Sequence, residues 1–498
     1  MSPKEETLDP QAWGPVRELG HEMLDDLFAY LQSVRERPVW APLPAELAQH
    51  FQRPIPQEGE GLEQAYADFV RDVLPHPLGN IHPRFWAWVC GTGTVGGMLA
   101  EMLLGGINSS VHGAAQAAVK VEEQVISWCK EMLGYSADAS GILVSGGSMA
   151  NLVGLAVARN TKAGVDVNDR GLQAAPPLTI YCSTETHNSV HKAMGLLGLG
   201  RQSLRLVPVN AEFEIDLSEL KKTIADDKAR GFKPICIIGN AGTVNTGAID
   251  DLNALADICQ CEDMWFHVDG AFGAITAISP ALAPKITGME RGDSLAFDFH
   301  KWMYMQYDGG CTLVRHAKAH HDAFTVASSY LNHGTRGLAS GDTWFSEYGI
   351  ELSRQFRALK IWMSIKEHGI RKYARLVEQN VAQAQYLVGL VNSSPQLEVL
   401  APAPLNIVCF RFKESRLSEA SLNELNQEIL LQLQEQGIAA PSSTLLNGKF
   451  AIRVAISNHR SRFQDFDVLA REVARLGNQL LQRFSNPENK ALSLSESA

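Results

Sequence analysis

The stretch 141–159, GILVSGGSMANLVGLAVAR, decides the fold. Its apolar run 142–144 predicts a strand, 145–148 predicts a turn, and the residues from Met149 onward predict a helix. The two glycines of the turn permit a close backbone approach, and the first amides of a helix bind anions, so this turn is a candidate anion site. A plain strand-to-helix turn is the alternative, because the stretch contains neither a Walker loop nor a GxGxxG pattern.

The same plan recurs along the chain. Segments 178–198, 234–260 and 264–274 each place a short apolar run before small or polar residues and then a helix-like stretch. Strands that alternate with helices predict an α/β fold with parallel strands joined by crossover helices. In such a fold, ligands bind at the carboxyl ends of the strands.

Composition favours a globular protein that acts on small molecules. The chain has 498 residues, of which 45% are hydrophobic and 20% are charged, and its formal net charge is −11. This acidic balance argues against nucleic acid or an anionic membrane as a partner. No apolar run is long enough to span a bilayer, and the polar, acidic start is unlike a signal peptide, so we expect a cytoplasmic protein.

Changes of pattern suggest four parts. Residues 1–75 carry helical spacing and predict an arm that packs on another body, while 76–375 predict the large α/β domain. Residues 376–485 combine helices with strand-like runs and predict a small C-terminal α+β domain. Residues 486–498 lack apolar periodicity and predict a disordered tail.

A lysine within the aromatic run DFHKWMY is the first candidate for chemistry. Lys301 is followed closely by Trp302 and Tyr304. We expect these rings to desolvate the amine, which favours the neutral, nucleophilic form that attacks an aldehyde. A surface lysine with its charge in water is the alternative.

Two more polar residues follow predicted strands. Asp269 comes directly after the strand-like run 266–268, where its carboxylate is placed to pair with a protonated pyridine nitrogen. Its alternative role is a helix cap. His187 follows the strand-like run LTIYC, and we expect it to stack on a cofactor ring or to exchange protons; a structural histidine is the alternative.

The cysteines give little support to a metal site. Cys259 and Cys261 are close in sequence but have no further ligands at metal-binding spacing, so we interpret them as packing residues and expect no metal.

These motifs together resemble the group II pyridoxal-phosphate-dependent amino acid decarboxylases, the family of aromatic-L-amino-acid, histidine and glutamate decarboxylases. HVDGAFGA followed by DFHKWMY carries the likeness most specifically. The likeness extends from ELGHEMLDDLFAYL near the start to ELSRQFRALKIWMSIKEHG and the C-terminal part. The family implies a fold-type I enzyme with a mainly parallel seven-stranded sheet, a pyridoxal 5'-phosphate (PLP) cofactor and an intertwined homodimer.

The resemblance also implies roles for single residues. Lys301 would bind the cofactor covalently, Asp269 would pair with its ring nitrogen, His187 would stack on its ring, and Tyr330 would belong to a mobile catalytic loop. Ser353 would reach the phosphate of the neighbouring subunit. The implied cofactor-binding residues are Gly147, Ser148, His187, Thr243, Asp269, Ala271, Asp298, His300, Lys301 and Ser353.

At three places the sequence differs from the pattern of the family it resembles, so the resemblance does not identify the substrate. Asp298 stands where animal aromatic decarboxylases have asparagine, and a carboxylate beside phosphate is repulsive unless it is protonated or bonded to a donor. For Asp298 we favour a role in which its carboxylate orients a donor that binds the phosphate. The segment WVCGTGTVGG, 88–97, differs from the family's pocket wall, and His112 stands where an aromatic residue is expected.

We therefore predict decarboxylation of an L-amino acid, with an aromatic side chain favoured, to the amine and CO2. Acidic or short-chain amino acids remain alternatives. Oxidative aldehyde formation or transamination are alternative outcomes at the same site, and Tyr330 favours decarboxylation because aldehyde-forming members tend to carry phenylalanine there. A binding protein that has lost catalysis is the alternative from another class.

Overall fold

The computed structural model describes residues 6–326 and 333–484. The strands in chain order are β1 (Phe85–Trp86), β2 (Ser140–Val144), β3 (Leu178–Ser183), β4 (Leu204–Val207), β5 (Lys233–Asn240), β6 (Trp265–Asp269), β7 (Ser294–Asp298), β8 (Gly310–Val314), β9 (Leu397–Val399), β10 (Ile407–Phe412), β11 (Ala440–Leu446) and β12 (Lys449–Ala455).

The helices alternate with these strands. In chain order they are α1 (Trp13–Gln32), α2 (Ala45–His50), α3 (Leu62–Asp68), α4 (Val95–Ile107), α5 (Ala117–Met132), α6 (Gly147–Lys162), α7 (Val167–Arg170), α8 (Asn188–Leu196), α9 (Leu217–Ala229), α10 (Leu252–Glu262), α11 (Ala317–Phe324), α12 (Ala358–His368), α13 (Ile370–Ser393), α14 (Glu419–Glu435) and α15 (Phe463–Phe484). Among the residues described, no helix is both long and apolar enough to cross a membrane.

The large sheet confirms the predicted α/β class. Within the described residues it has seven strands in the order β2-β8-β7-β6-β5-β3-β4. All neighbours pair in parallel except β8, which is antiparallel to both β2 and β7. Helices α8, α9 and α10 are the crossovers between β3, β4, β5 and β6. The parallel strands therefore end at one common edge.

Helix α6 starts two residues before the predicted position. It begins at Gly147 rather than at Met149, because the chain already turns at Gly146, the residue before the helix. The turn after β2 is therefore tighter than predicted. Its first helical amides lie directly at the end of the strand.

The small C-terminal part is an antiparallel sheet completed by an early strand. Its order is β1-β11-β12-β10-β9, and β1 pairs in parallel with β11 through Phe85 and Ala440. The proposed boundary at 375/376 falls inside α13, which runs unbroken from Ile370 to Ser393. Segment 85–86 is part of this second sheet, so the border between the two domains is not a single point in the sequence. The tail 486–498 lies outside the described residues.

The N-terminal arm is weakly covered by its own chain. Helix α1 contains no buried residue, and its predicted apolar stripe, which includes Leu24 and Leu27, is only half-buried. Helices α2 and α3 likewise contain no buried residue. An amphipathic helix stabilises a fold by burying its apolar face, so this arm is suited to packing against a further surface.

Candidate active site

The carboxyl edge of the large sheet gathers the predicted residues. Asp269 is the last residue of β6 and Asp298 is the last residue of β7. His187 directly precedes α8, and Gly147 opens α6. The strand ends therefore bring together residues that are far apart in the sequence, as the parallel sheet predicts.

Lys301 forms an ion pair at this edge. Its Nζ lies 2.7 Å from Oδ2 of Asp298, whose side chain is buried. Burial by itself lowers the pKa of Lys301, but the charge and the hydrogen bond of Asp298, together with the charge of Asp269, outweigh it and raise the pKa above its usual value. The expectation that desolvation alone makes this amine neutral is therefore wrong, because it left out the carboxylate three residues earlier.

The aromatic residues after Lys301 have a different role from the one expected. Both Trp302 and Tyr304 are buried, and the Trp302 indole donates to Oδ1 of Asn380 (3.0 Å) while the Tyr304 hydroxyl donates to the same atom (2.7 Å). Asn380 belongs to α13. The two rings thus fasten the turn after Lys301 to the long helix that leads into the C-terminal sheet.

The Asp269 carboxylate accepts two hydrogen bonds from the protein. Its Oδ1 accepts from the Ala271 N–H (3.1 Å), and its Oδ2 accepts from Nδ2 of Asn151 (2.9 Å). No α-helix begins after it; the short 3₁₀ turn 273–278 is preceded by Phe272. The helix-cap alternative therefore has no support, and Asp269 is a buried, oriented carboxylate.

His187 caps α8 with one ring nitrogen. Its Nδ1 accepts from the Ser189 N–H (3.2 Å), so the neutral ring carries its hydrogen on Nε2. The side chain is exposed, yet partial desolvation by the protein lowers the pKa of His187, and the Asp269 charge opposes this only in part. The ring is therefore held neutral, with an N–H available for a ligand.

The start of α6 is a tightly packed candidate anion site, which we call the anion cradle. The first N–H groups of a helix have no acceptor within the helix, and here they belong to Gly147, Ser148 and Met149. A Cβ at Gly147 would lie 2.7 Å from Oδ2 of Asp298, so glycine is needed for this close approach. Ser148 is exposed and can offer its hydroxyl.

Asp298 is the one member of this cradle that opposes an anion. Its Oδ2 faces Lys301, while its Oδ1 is buried without a hydrogen-bond partner in the described part of the chain. Nε2 of His300 lies 3.7 Å from Oδ2 of Asp298, and Nδ1 of His300 accepts from the Gly309 N–H (3.0 Å). The ion pair with Lys301 is therefore the shortest charged contact of Asp298 among the described residues, and its role in orienting a phosphate-binding donor stays a prediction.

Two further predicted residues lie in the surrounding turns. Thr243 is buried, and its Oγ1 accepts from the Ala248 N–H (3.1 Å), which closes the turn after β5. An added Cβ at Gly147 would lie 3.5 Å from the Cβ of Ala271, so Ala271 adjoins the start of α6.

Within the described residues, Ser353 and His112 form no hydrogen bond, ion pair or ring contact with the cleft residues described above. Ser353 is exposed next to Arg354, which is fixed by Glu122. His112 is half-buried, with its ring 5.8 Å from that of Trp344. Tyr330 lies outside the described residues.

A wall of the cleft runs along segment 88–94. The Gly91 N–H donates to the carbonyl oxygen of His300 (2.9 Å), and a Cβ at Gly91 would clash with that oxygen. The wall therefore packs directly on the backbone that carries Lys301. Trp88, at the start of this wall, has a left-handed backbone (φ 52°) and an indole that is 57% exposed.

Three residues of the site were missed by sequence reasoning. Asn151, Ser189 and His267 are buried; Asn151 and Ser189 connect Asp269 with His187 through hydrogen bonds, and His267 bonds to Asn151. Two of them left a signal: His267 is a polar residue in the middle of the buried strand WFHVD, and Asn151 is followed by the apolar run 152–158 of α6.

The residues fit PLP in three respects. Lys301 supplies an amine for the aldehyde, Asp269 supplies a carboxylate for a protonated ring nitrogen, and the start of α6 supplies amides for a phosphate. Oδ1 of Asp298 is buried and has no hydrogen-bond partner among the described residues. The donor set therefore suits PLP at this edge of the sheet.

Comparison with known proteins agrees with this geometry. The pyridoxal-dependent decarboxylase conserved domain matches residues 44–413. An aromatic-L-amino-acid decarboxylase of Bacillus atrophaeus is 33% identical over 469 residues, covering 93% of this chain and 96% of that protein, and tyrosine decarboxylase 4 of Petroselinum crispum is 29% identical over 466 residues, covering 90% of each.

A solved structure matches over nearly the whole chain. It is tryptophan decarboxylase of Catharanthus roseus in complex with L-tryptophan, with a TM-score of 0.84, 25% identity, and coverage of 95% of this chain and 100% of that one. The matched domain spans most of the chain and includes both Asp269 and Lys301. The chain therefore belongs to the pyridoxal-dependent decarboxylase family and is a PLP-dependent amino acid decarboxylase.

Proposed function

We propose that the enzyme decarboxylates an L-amino acid with an aromatic side chain, releasing the amine and CO2. When bound, PLP supplies an electron-accepting ring joined to the substrate's amino group. The observation that carries the choice of substrate is the wall 88–94, which packs against the backbone of Lys301 and begins with an exposed indole.

The residues of this chain have distinct tasks in that reaction. Lys301 would hold the cofactor through its aldehyde group. Asp269 keeps the proton on the ring nitrogen, since its carboxylate is oriented by two N–H donors. His187 would contact the cofactor ring and offer its Nε2–H there, and the amides at the start of α6 would bind the phosphate.

The indole of Trp88 supports a large apolar substrate. This indole is 57% exposed, and an aromatic substrate side chain could stack on it. Next to it, Cys90 carries a thiol whose pKa is raised by burial and lowered in part by the charge of Lys301. The wall therefore offers apolar surface beside the reacting amine.

The hydrogen bonds of Arg453 to backbone carbonyls argue against an acidic substrate. Its guanidinium donates from Nη1 to the carbonyl of Trp88 (2.8 Å) and from Nε to that of Asn245 (3.1 Å), and Nη2 donates to that of Val244. These bonds occupy all three nitrogens and hold the wall in place. A substrate carboxylate would have to compete with them.

The names of the relatives agree with this choice without fixing it. The relatives named for their substrates include aromatic-L-amino-acid, tyrosine and histidine decarboxylases. A phenylacetaldehyde synthase of Petunia hybrida is 26% identical over 480 residues, so aldehyde formation is the outcome against which amine formation must be measured. The cytoplasmic location remains a prediction.

We also propose a homodimer with shared sites. The arm helices bury no residue on their own chain, and α4 exposes Met102, Leu103 and Ile107. A second copy would cover these apolar side chains. In that assembly, Ser353 and His112 would face the site of the partner.

The test is a panel of the twenty amino acids, scored for CO2, amine, aldehyde and ammonia. We expect kcat/KM for at least one of phenylalanine, tyrosine and tryptophan to exceed that for glutamate by about 100-fold or more, because an aromatic ring gains apolar burial that a second carboxylate does not. Trp88→Ala should reduce this preference, with Leu196→Ala, an exposed residue of α8, as the control. A higher kcat/KM for glutamate or aspartate would overturn the proposed substrate class.

A further inference from the structure

A buried hydrogen-bond chain lies beneath the predicted cofactor site. Residues Trp265, His267 and Asp269 alternate along β6 and therefore share one face of the strand. Asn151, on α6, packs against that face, and Ser294 of β7 is the register partner of His267. All five are at most 5% exposed, so water cannot substitute for their contacts.

The direction of every bond in this chain can be derived from its two ends. At one end, the indole Nε1–H of Trp265 can only donate, and it donates to Oγ of Ser294 (2.8 Å). At the other end, the carboxylate of Asp269 accepts, so Asn151 must turn Nδ2 toward it (2.9 Å). The amide oxygen of Asn151 then faces Nε2 of His267.

The His267 imidazole lies between these two ends. Only one of its tautomers can form hydrogen bonds with both Asn151 and Ser294. Nε2 of His267 lies 2.9 Å from Oδ1 of Asn151, an acceptor, so Nε2 carries the hydrogen. Burial lowers the pKa of His267 to about 4, which keeps the ring neutral, so Nδ1 accepts from the hydroxyl of Ser294 (2.7 Å). The bonds therefore all point from Trp265 toward Asp269.

The side-chain amide of Asn151 is also connected to His187, through two hydrogen bonds by way of Ser189. Its Nδ2 donates a second hydrogen to Oγ of Ser189 (3.0 Å), and this hydroxyl donates to Nδ1 of His187 (2.9 Å). The Ser189 N–H already requires Nδ1 to be an acceptor, so the hydroxyl bond agrees with it. One amide thus connects the Asp269 carboxylate with the His187 imidazole.

The packing of α6 leaves room for this chain. A Cβ at Gly154, one turn after Asn151, would lie 2.7 Å from Cε1 of His267 and 3.1 Å from Oγ of Ser294. Glycine therefore allows the helix to approach the ring. The helix that begins with the anion cradle is positioned by the same contacts that orient Asp269.

We propose that Asn151 is a positioning residue of the decarboxylase, which fixes the Asp269 carboxylate and the Nε2–H tautomer of His187 relative to each other. His267 keeps the Asn151 amide from rotating. The inference depends on the family of the enzyme and not on which amino acid is its substrate. In the alternative, the series of hydrogen bonds has a purely structural role and only holds α6 on the sheet. The experiments below distinguish the two roles.

Neutron diffraction from crystals of the full-length protein tests the bond directions without any variant or activity. We expect a hydrogen on Nε2 and none on Nδ1 in both His267 and His187. A hydrogen on Nδ1 of either ring would reverse a bond and overturn the proposal.

The positioning role is tested by Asn151→Leu, which keeps the branching at Cγ in a larger side chain and removes the amide. We expect kcat to fall about 10- to 100-fold, because a charged acceptor loses one of its donors, and KM to change by less than about threefold. The control is Thr312→Val, which removes the bond from Thr312 Oγ1 to the carbonyl of Ala150 (3.0 Å) on the same helix and should keep wild-type kcat. Equal losses of kcat in both variants would show that the chain is only structural.

A second pair of variants covers the case in which Asn151→Leu does not fold. His267→Gln keeps an N–H for Oδ1 of Asn151, whereas His267→Leu does not. We expect the glutamine variant to retain a kcat at least about tenfold above that of the leucine variant. Equal kcat values would contradict the proposal. All variants are assayed with the amino acid that the wild type turns over fastest, so an error in the proposed substrate would not affect the outcome.

Discussion

Oδ2 of Asp298 lies 2.7 Å from Nζ of Lys301, with only Phe299 and His300 between them in the chain. The carboxylate ends β7, and the amine follows in the turn that leads toward β8. Since this contact raises the pKa of Lys301, Asp298 opposes the neutral amine that the cofactor aldehyde requires. We therefore expect Asp298 to influence the pH range over which the covalent bond to Lys301 forms.

Asp298→Asn should shift the rate of covalent PLP binding to lower pH. Protonated Lys301 does not react, and removal of the carboxylate that raises its pKa leaves burial, which lowers it, as the main influence. Stopped-flow absorbance of PLP mixed with the cofactor-free protein across a pH series measures the shift. An unchanged profile would mean that Asp298 does not control this amine, whereas weaker PLP binding at every pH would support the role of orienting a phosphate donor.

Asp269→Asn should keep the cofactor and lose turnover. The amide cannot hold the ring nitrogen protonated by charge, so we expect kcat to fall by about 100-fold or more with a smaller change in cofactor affinity. Asp250→Asn is the control, because Asp250 is another buried carboxylate that accepts backbone N–H bonds, from Ile215 and Asn240, near the adjacent strand. Similar kcat values in the two variants would remove Asp269 from the chemistry.

The exposed face of α4 should be a dimer contact. Leu103→Glu places a charge where an apolar side chain is 46% exposed on the single chain, and we expect the dimer to weaken by roughly 2 kcal/mol or more. Sedimentation velocity across a concentration series measures this. Leu196→Glu, at the outer end of α8, should leave the assembly unchanged, and a wild-type protein that sediments as a monomer would refute the dimer.

Tyr330→Phe should divert the product. Tyr330 lies outside the described residues, and its role is a prediction from the sequence: a phenol close to the substrate Cα returns a proton after CO2 leaves. We expect the variant to release CO2 while the amine yield falls and aldehyde, ammonia and oxygen consumption rise. Quantification of CO2, amine, aldehyde and ammonia measures this change in product. An unchanged amine yield would exclude Tyr330 from proton transfer.

Much of the fold and the order of the site residues could be predicted from the sequence. The alternation of apolar runs and helical stretches gave the strand ends, and with them the positions of His187, Asp269 and Lys301. The direction of β8 could not be predicted, because periodicity reveals a strand but not whether it runs parallel or antiparallel to its neighbours.

Side-chain partners were harder to predict because they depend on packing between distant elements. Trp302 was expected beside the Lys301 amine, but its indole bonds to Asn380, which is 78 residues away in the chain. Asn151 and Asp269 are 118 residues apart, and only the packing of α6 on the sheet brings them together. Local spacing carries no information about such contacts.

The most direct test of the account is the identity of the lysine that binds PLP. The purified protein, loaded with PLP, is reduced with borohydride and its peptides are analysed by mass spectrometry. We predict a pyridoxyl group on Lys301, because this amine lies at the strand edge that also carries Asp269 and the anion cradle of α6. A pyridoxyl group on any other lysine, with Lys301 unmodified, would contradict the assignment of the active site.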